Sequence, residues 1–514
     1  MVKNITREQV LIFFPVGSAG SFTGACHEIK SLMSKKSKKR NKNPIDTLNH
    51  ARTRRPSCSI ISLGCPKNLA DSELMIGRMV EAGFQFRETP TRVDVMILNT
   101  CGFLRDARNE ARGILESILA EKAAGRISTV IVTGCAVQYE REKLVHEFPG
   151  VDFWFGVFDE SRIGEVARLL HGEKPGAIQD CQRVFLSAEE KTLFNDSMRH
   201  RLTLPHVAYL KIADGCSQHC TYCLIPSIRG PFVSRPGEQI IDEAKRLADE
   251  GVRELVIIAQ ETNFWGLDLH GRPMLAGLLA ELQAINAFDW LRLMYAYPAH
   301  FTDELIDLFA SGNALLPYID LPLQHCNDVI LRKMNRKATR AETETLLGRL
   351  RDRIPRLVLR TSLITGFPGE TDAMFDELLD FVQTWRFERA GVFPYSREEG
   401  TVAAAMPDPI DEPVKAERYR RLYELTEAMT RDWALRQVGQ RLDVLIDQPE
   451  RDETGHPVPG VFVGRTYADA PTIDPVVIVT SQSAGQVAPG QIVPCEIVLT
   501  NGVDLLAVPA EVKE

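Results

Sequence analysis

From residue 58 onward the chain alternates short apolar runs with longer amphipathic stretches. Cys58–Leu63, Val93–Leu98 and Thr129–Val132 are three such runs, and the stretches 71–82 and 104–124 between them read as helices. Short apolar runs joined by helices predict βαβ units with parallel strands. The pattern resumes with His206–Ile212, a plausible strand. Further apolar runs at 252–259, 290–295, 317–323, 357–364 and 390–395 alternate with helical stretches such as 240–250, 301–311 and 371–386. Six parallel strands in that rhythm continue as a (β/α) barrel would. The tail, 439–514, has no long helical pattern. Its short runs Leu442–Ile446, Val476–Val479 and Ile492–Leu499, separated by Gly, Pro and Asp, predict a small β-barrel. The expected class is α/β, with an N-terminal parallel-sheet βαβ domain over 58–170, a barrel over 202–435 and a C-terminal β-barrel over 439–507.

Length agrees, since 514 residues at ~150 per domain suggest three domains. Apolar residues at 44% and charged residues at 25% exclude a disordered or fibrous chain. No window approaches the ~18 uninterrupted apolar residues of a membrane span. The formal charge of −8 excludes electrostatic nucleic-acid binding by the protein as a whole. That charge is uneven. Residues 1–57 hold twelve Lys/Arg against Glu8, Glu28 and Asp46, a surplus of nine, and Ser34–Asn43 has no apolar residue. We expect an unstructured basic leader there, or an overlong start. The run Val10–Val16 faintly resembles a signal peptide, but Pro15 and Gly17 break it, and a cytoplasmic protein is expected.

Eleven cysteines, an odd number in a long chain, argue against a disulfide framework and for metal or catalytic chemistry. The first three predicted strands end in Gly64-Cys65, Asn99-Thr100-Cys101 and Thr133-Gly134-Cys135. In a parallel sheet the carboxyl ends lie along one edge, where ligand sites form, so the three cysteines converge. Three thiols at equivalent positions read as a metal site, and the plainer alternative is three buried core cysteines. A tighter constellation, Cys216-x3-Cys220-x2-Cys223, follows the fourth strand as a loop. It allows three thiolates to hold one iron–sulfur cubane and leave the fourth iron open to substrate. The alternative is zinc on these thiolates with His219, although no second Cys-x2-Cys knuckle follows.

With Tyr222 before its last cysteine, that loop resembles the radical S-adenosylmethionine (SAM) enzymes. Combined with Cys65, Cys101 and Cys135 it resembles their methylthiotransferase family, from about residue 58 to 510. Ile61-Ser62-Leu63-Gly64-Cys65-Pro66-Lys67-Asn68 and Ala213-Asp214-Gly215-Cys216 are most similar to the branch that modifies a small-subunit ribosomal protein at the decoding centre. The Gln-Met-Asn and Glu-Gly-Cys typical of the tRNA-modifying branch are lacking. The resemblance implies a partial (β/α) barrel, two 4Fe-4S clusters and SAM. Cys216, Cys220 and Cys223 would ligate one cluster, and Cys65, Cys101 and Cys135 the other. Tyr222, Gln260, Glu261, Gln324 and Thr361 would line the SAM site at the ends of the barrel strands, the plainer reading being barrel-mouth polar residues without a ligand. It further implies a 5′-deoxyadenosyl radical that takes hydrogen from the β-carbon of an aspartate. Sulfide or methylsulfide on the second cluster then meets the carbon radical, a second SAM supplies the methyl group, and a low-potential donor supplies electrons.

Gly366-Phe367-Pro368-Gly369 is no P-loop, because no Gly-Lys-Ser/Thr follows. The tail resembles a TRAM domain, which binds RNA in tRNA-modifying relatives. Here it carries four basic residues against eleven acids, a net of −7, so a basic ribosomal protein is the expected partner, with neither nucleic acid as substrate nor a membrane. Three other readings remain open, the plainest being a binding module with structural zinc. Another is a tRNA methylthiotransferase acting on a modified adenosine. The third is a two-cluster electron-transfer protein, against which the barrel and its polar mouth argue. Cys26, Cys58, Cys181, Cys326 and Cys495 read as structural.

Overall fold

The computed structural model describes residues 55–90, 92–172, 183–187, 199–481 and 487–510. The basic leader up to residue 54, and with it Cys26, lies outside them, as does Cys181. The chain divides into two compact units. One comprises residues up to Leu202 together with Leu224–Gly230, the other Thr203–Cys223 with Pro231 onward.

The first unit is built from β1 (Ser57–Ser62), α1 (Pro66–Glu81), β2 (Gln85–Phe86), β3 (Val93–Thr100), α2 (Arg105–Ala123), β4 (Ile127–Gly134), α3 (Cys135–Glu140), β5 (Phe153–Phe155), α4 (Ile163–Leu170) and β6 (Val184–Phe185). It also holds the short helix α5 (Ile225–Arg229). The strands form one sheet in the order β2-β1-β3-β4-β5-β6, every pairing parallel. Strands covered on both faces are continuous apolar runs. Val95, Met96, Ile97 and Leu98 accordingly have no exposed surface. Met96, Leu98, Val130 and Val132 share one face by the two-residue period and pack on Ile114, Leu115 and Ile118 of α2. Each such side chain contributes roughly 1.5–3 kcal/mol on burial. The three predicted strands are present. β2, β5 and β6, only two or three residues each, had no pattern long enough to be read.

The second unit opens with β7 (Val207–Lys211), α6 (Gly237–Asp249), β8 (Glu254–Ile258), α7 (Leu275–Ala284), β9 (Trp290–Leu293), α8 (Asp303–Ala310), β10 (Leu315–Asp320), α9 (Arg340–Arg353), β11 (Val358–Thr365), α10 (Asp372–Trp385), β12 (Arg389–Pro394) and α11 (Glu412–Gln437). Its six parallel strands lie in sequence order, β7 and β12 at the two edges, as a partial barrel. Leu255, Ile257, Leu291, Ile319 and Leu359 join helix residues such as Leu278, Leu347 and Leu378 in one core. After α11 come β13 (Arg441–Arg451), β14 (Pro457–Arg465), β15 (Val477–Thr480), β16 (Ile492–Asn501) and β17 (Asp504–Pro509). They close a small barrel in the order β13-β14-β15-β17-β16. Among the described residues no helix is long and apolar enough to cross a membrane.

The small barrel is joined to the first residues of the large barrel's strands by buried ion pairs. Glu254 accepts from Arg292 at 2.7 Å and from Arg465 at 2.6 Å, and Arg465 also holds Asp447, which reaches His206 at 3.1 Å. Arg389 pairs with Asp469 at 2.6 Å, and Asp474 accepts from the Tyr318 hydroxyl at 2.6 Å. Three of the tail's eleven acids are therefore engaged by barrel residues. The charge surplus counted along the sequence overstates what its outer surface offers a partner.

Candidate functional site

At the edge of the first sheet, β1 turns at Gly64, which adopts φ +95°. A Cβ there would lie 2.9 Å from the Cys101 sulfur, so glycine alone leaves that thiol its space. Cys65 caps α1, with Pro66 in the first turn, and Cys135 opens α3 behind Gly134 at φ +100°. Asn68 laces the ends together. Its Nδ2 donates to the carbonyls of Leu63 and Thr100, both at 3.0 Å, and its own carbonyl accepts from Asn99 at 2.9 Å. The Thr100 hydroxyl donates to the Thr133 carbonyl at 2.6 Å. The ends of β1, β3 and β4 are thus fixed together, and the expected convergence of their cysteines is present.

Burial pushes the Cys101 thiol up to about 12, and the neighbouring Cys135 and Cys65 push in the same direction. Burial also raises Cys135, opposed by Arg229. The Cys101 and Cys135 thiols are buried side by side, and burial disfavours their ionised forms unless a cation neutralises them. Among the described residues no group of three or more His, Cys, Asp or Glu is arranged around one metal ion. The buried Asn99 Oδ1, beside Gly134, has no partner among the described residues, which also fits an occupant.

The second trio sits on the loop after β7, in the other unit. Asp214 accepts from the Gly215 amide at 2.8 Å and from Gln260 at 2.9 Å. Asn335 donates to the carbonyls of Gln218 (3.3 Å) and His219 (3.0 Å). Thr221 is tied through its amide to Met334 and through its hydroxyl to Lys333, at 3.1 and 2.8 Å. Burial pushes Cys216 up to about 11. Arg336, stacked 4.2 Å over the Tyr297 ring, puts its positive charge beside Cys220. His219 is exposed, with φ +50°.

The polar residues expected around SAM occupy different environments. Glu261 accepts from Gln218 at 3.0 Å and comes within 4.0 Å of the Cys216 sulfur, and burial pushes its carboxyl up to about 7. Gln218 Oε1 and Gln260 Oε1 are buried and unpartnered among the described residues, so two acceptors await a donor next to Cys216. Gln324 has φ +74° and bridges to β11 through Ser362 and Ile364. Tyr222 meets Phe367 edge-on at 6.5 Å. The Thr361 hydroxyl is fully buried, donating to the Leu321 carbonyl at 2.9 Å and accepting from the Leu323 amide at 3.3 Å, so it ties strands together. Cys58, Cys326 and Cys495 are buried, each pushed up to about 12 mainly by that burial.

Sequence reasoning missed Asn68, Arg336 and Arg229 as site residues. For Arg229 a signal existed. It is the single charge in Leu224–Gly230, an otherwise small and apolar stretch, and it is 1% exposed.

Comparison with known proteins adds three domain matches. They are the Radical SAM superfamily over residues 210–382, the Uncharacterized protein family UPF0004 over 57–156, and the TRAM domain over 438–509. The chain is 42% identical to the ribosomal protein uS12 methylthiotransferase RimO of Lachnoclostridium phytofermentans, over 82% of this chain and 92% of the relative. It is 40% identical to the protein of that name from Trichlorobacter lovleyi, over 87% and 97%. Among solved structures, the radical S-adenosylmethionine methyltransferase TsrM of Kitasatospora setae shares the fold at 16% identity. The TM-score is 0.50, covering 68% of this chain and 74% of that one.

Proposed function

We propose, from the premise that this chain belongs to the RimO family of radical SAM methylthiotransferases, that it methylthiolates the β-carbon of an aspartate in ribosomal protein uS12. The observation that carries the reading is the presence of two separate cysteine trios, one at a sheet edge and one on a barrel loop. In this reading Cys216, Cys220 and Cys223 hold one 4Fe-4S cluster, and Cys65, Cys101 and Cys135 the other. The bound groups supply one-electron cleavage of SAM and a transferable sulfur, chemistry beyond any side chain.

The chain's own part is positioning and shielding. Gln260 Oε1 and Gln218 Oε1, buried and without a partner among the described residues, suit an ammonium donor such as the amino group of SAM. Gly64 keeps the Cys101 sulfur free of a side chain. Asp443, Asp452, Glu453 and Glu496, exposed on the small barrel, remain to attract a basic protein. Such attraction is screened within ~8 Å at physiological ionic strength, so binding of uS12 weakens as salt rises. The proposed partition is a leader up to 57, a cluster domain over 58–170, a radical domain over 202–435 and a TRAM barrel over 439–507.

The test is mass spectrometry of uS12 and of tRNA from a deletion strain. Loss of one methylthio group from an aspartate of uS12, with tRNA unchanged, is the expected result. Loss from a tRNA adenosine instead overturns the substrate in favour of the nucleic-acid reading.

A further inference from the structure

Arg229 is among the largest side chains in the protein without meaningful exposure, and its three guanidinium nitrogens each have a separate partner. Nη1 donates to Asp71 at 2.8 Å, Nη2 to the Asn68 side-chain oxygen at 2.5 Å, and Nε to the Cys135 sulfur at 3.4 Å. Asp71 is itself fully buried. Through Asn68 the guanidinium also reaches the carbonyls of Leu63 and Thr100, the residues leading into Cys65 and Cys101. One rigid fork thus contacts or braces all three cysteine-bearing strand ends. It is carried on α5, whose Ile228, with Leu224 just before the helix, packs with Cys135 and Val157 in a small apolar cluster.

A buried ion pair is a poor way to gain stability, because the desolvation cost of both charges offsets their attraction. Packing needs no arginine in an apolar cluster. A fixed charge with an N–H aimed at a sulfur does, however, have one strong effect. Hydrogen bonds and charge near a cluster's sulfurs set its reduction potential, because the reduced cluster is the more negative form. Arginine cannot lose its proton here, so the positive charge is permanent.

We propose that Arg229, its charge moderated by Asp71, is the positioning residue that sets the redox poise of the cluster held by Cys65, Cys101 and Cys135. It does so by donating to the Cys135 thiolate and, through Asn68, fixing the other two strand ends. This rests on the cluster assignment made above and goes beyond it by naming what tunes that cluster.

The experiment is an anaerobic redox titration of the sheet-edge cluster, followed by electron paramagnetic resonance. It uses full-length protein in which Cys216, Cys220 and Cys223 are replaced by Ala, so that one cluster alone gives the signal. Into this background Arg229→Gln, Arg229→Lys and Asp71→Asn are introduced. Arg229→Gln is expected to shift the midpoint to more negative potential, and Arg229→Lys to restore part of the shift. Asp71→Asn is expected to move it to more positive potential, because it leaves the arginine's charge uncompensated. A purely structural arginine gives no shifts of opposite sign. If Arg229→Gln loses its iron, Asp71→Asn decides alone. Unmoved midpoints in the iron-retaining variants overturn the proposal while leaving the methylthiotransferase reading intact. If the background protein binds no iron, the assignment of the strand-end cysteines fails instead.

Discussion

The two cysteine trios present the same three sulfur donors but are assembled in opposite ways. Cys216, Cys220 and Cys223 come from one loop, and their spacing is written into eight consecutive residues. Cys65, Cys101 and Cys135 come from three strand ends, 36 and 34 residues apart, and meet because the βαβ repeat brings those ends to one edge. The loop is a local device, anchored by Asn335 and Thr221 to one neighbouring turn. The edge is a global device that exists only when the whole sheet is formed, with Asn68 as its knot. Equal chemistry thus rests on unequal foundations.

Breaking each trio separately gives the largest effect. Cys220→Ala should abolish both SAM cleavage and methylthio transfer. Cys101→Ala should leave reductant-driven cleavage of SAM to 5′-deoxyadenosine while abolishing transfer, read by chromatography of the nucleoside and mass spectrometry of uS12. Reconstituted protein should hold about eight irons, and either trio replaced by Ala should retain about half. Full transfer by Cys101→Ala would return the strand-end cysteines to ordinary core residues.

A subtler break is Gly64→Ala. The left-handed backbone alone costs roughly 1–2 kcal/mol, and the added methyl would stand 2.9 Å from the Cys101 sulfur. The expected outcome is loss of iron from the sheet edge only, with a fall of a few degrees in Tm. Asn335→Ala removes two hydrogen bonds from the loop, worth about 1 kcal/mol each. Here the cluster should persist but decay faster in air, followed by absorbance.

The smallest effect lies at the amino ends of the barrel strands and sets the background for the others. Burial pushes the Asp447 carboxyl up, but Arg465 and His206 outweigh it and hold the group below the usual carboxylate range. Its contribution is present above the unfolded value of about 3.9 and is lost as pH falls through the lower folded value. Asp447→Asn should therefore lower Tm near neutrality, with the deficit shrinking below about pH 4 and iron content unchanged.

This contrast also explains what was legible in the sequence. The parallel strands could be read because strands buried on both faces need unbroken apolar runs, as in Val93–Leu98. The six barrel strands could be read for the same reason, with ends displaced by up to three residues. Candidate ligands at strand ends followed from topology, and the loop trio from spacing alone. Arg229, Asn68 and Arg336 could not be found this way, since a buried polar residue is specified by partners far along the chain. Arg229 meets Asp71 across 158 residues. The tail's acids misled for a related reason. Charge counted along a chain does not say which carboxylates turn inward, and Asp447, Asp469 and Asp474 do.

Those inward carboxylates place a limit on how the protein can be cut and recombined. Removing the chain after α11 would strand Arg389, almost fully buried, without its counter-charge Asp469, and would take the Tyr467 carbonyl from Arg292 while leaving it Glu254. An uncompensated buried charge costs roughly 3–5 kcal/mol, a large part of the ~5–15 kcal/mol that holds a domain together. A TRAM module transplanted from a relative must therefore arrive with acids at the positions of Asp447, Asp469 and Asp474, or bring a barrel whose arginines have been replaced. In this molecule the small barrel and the integrity of the large one are inherited as one part.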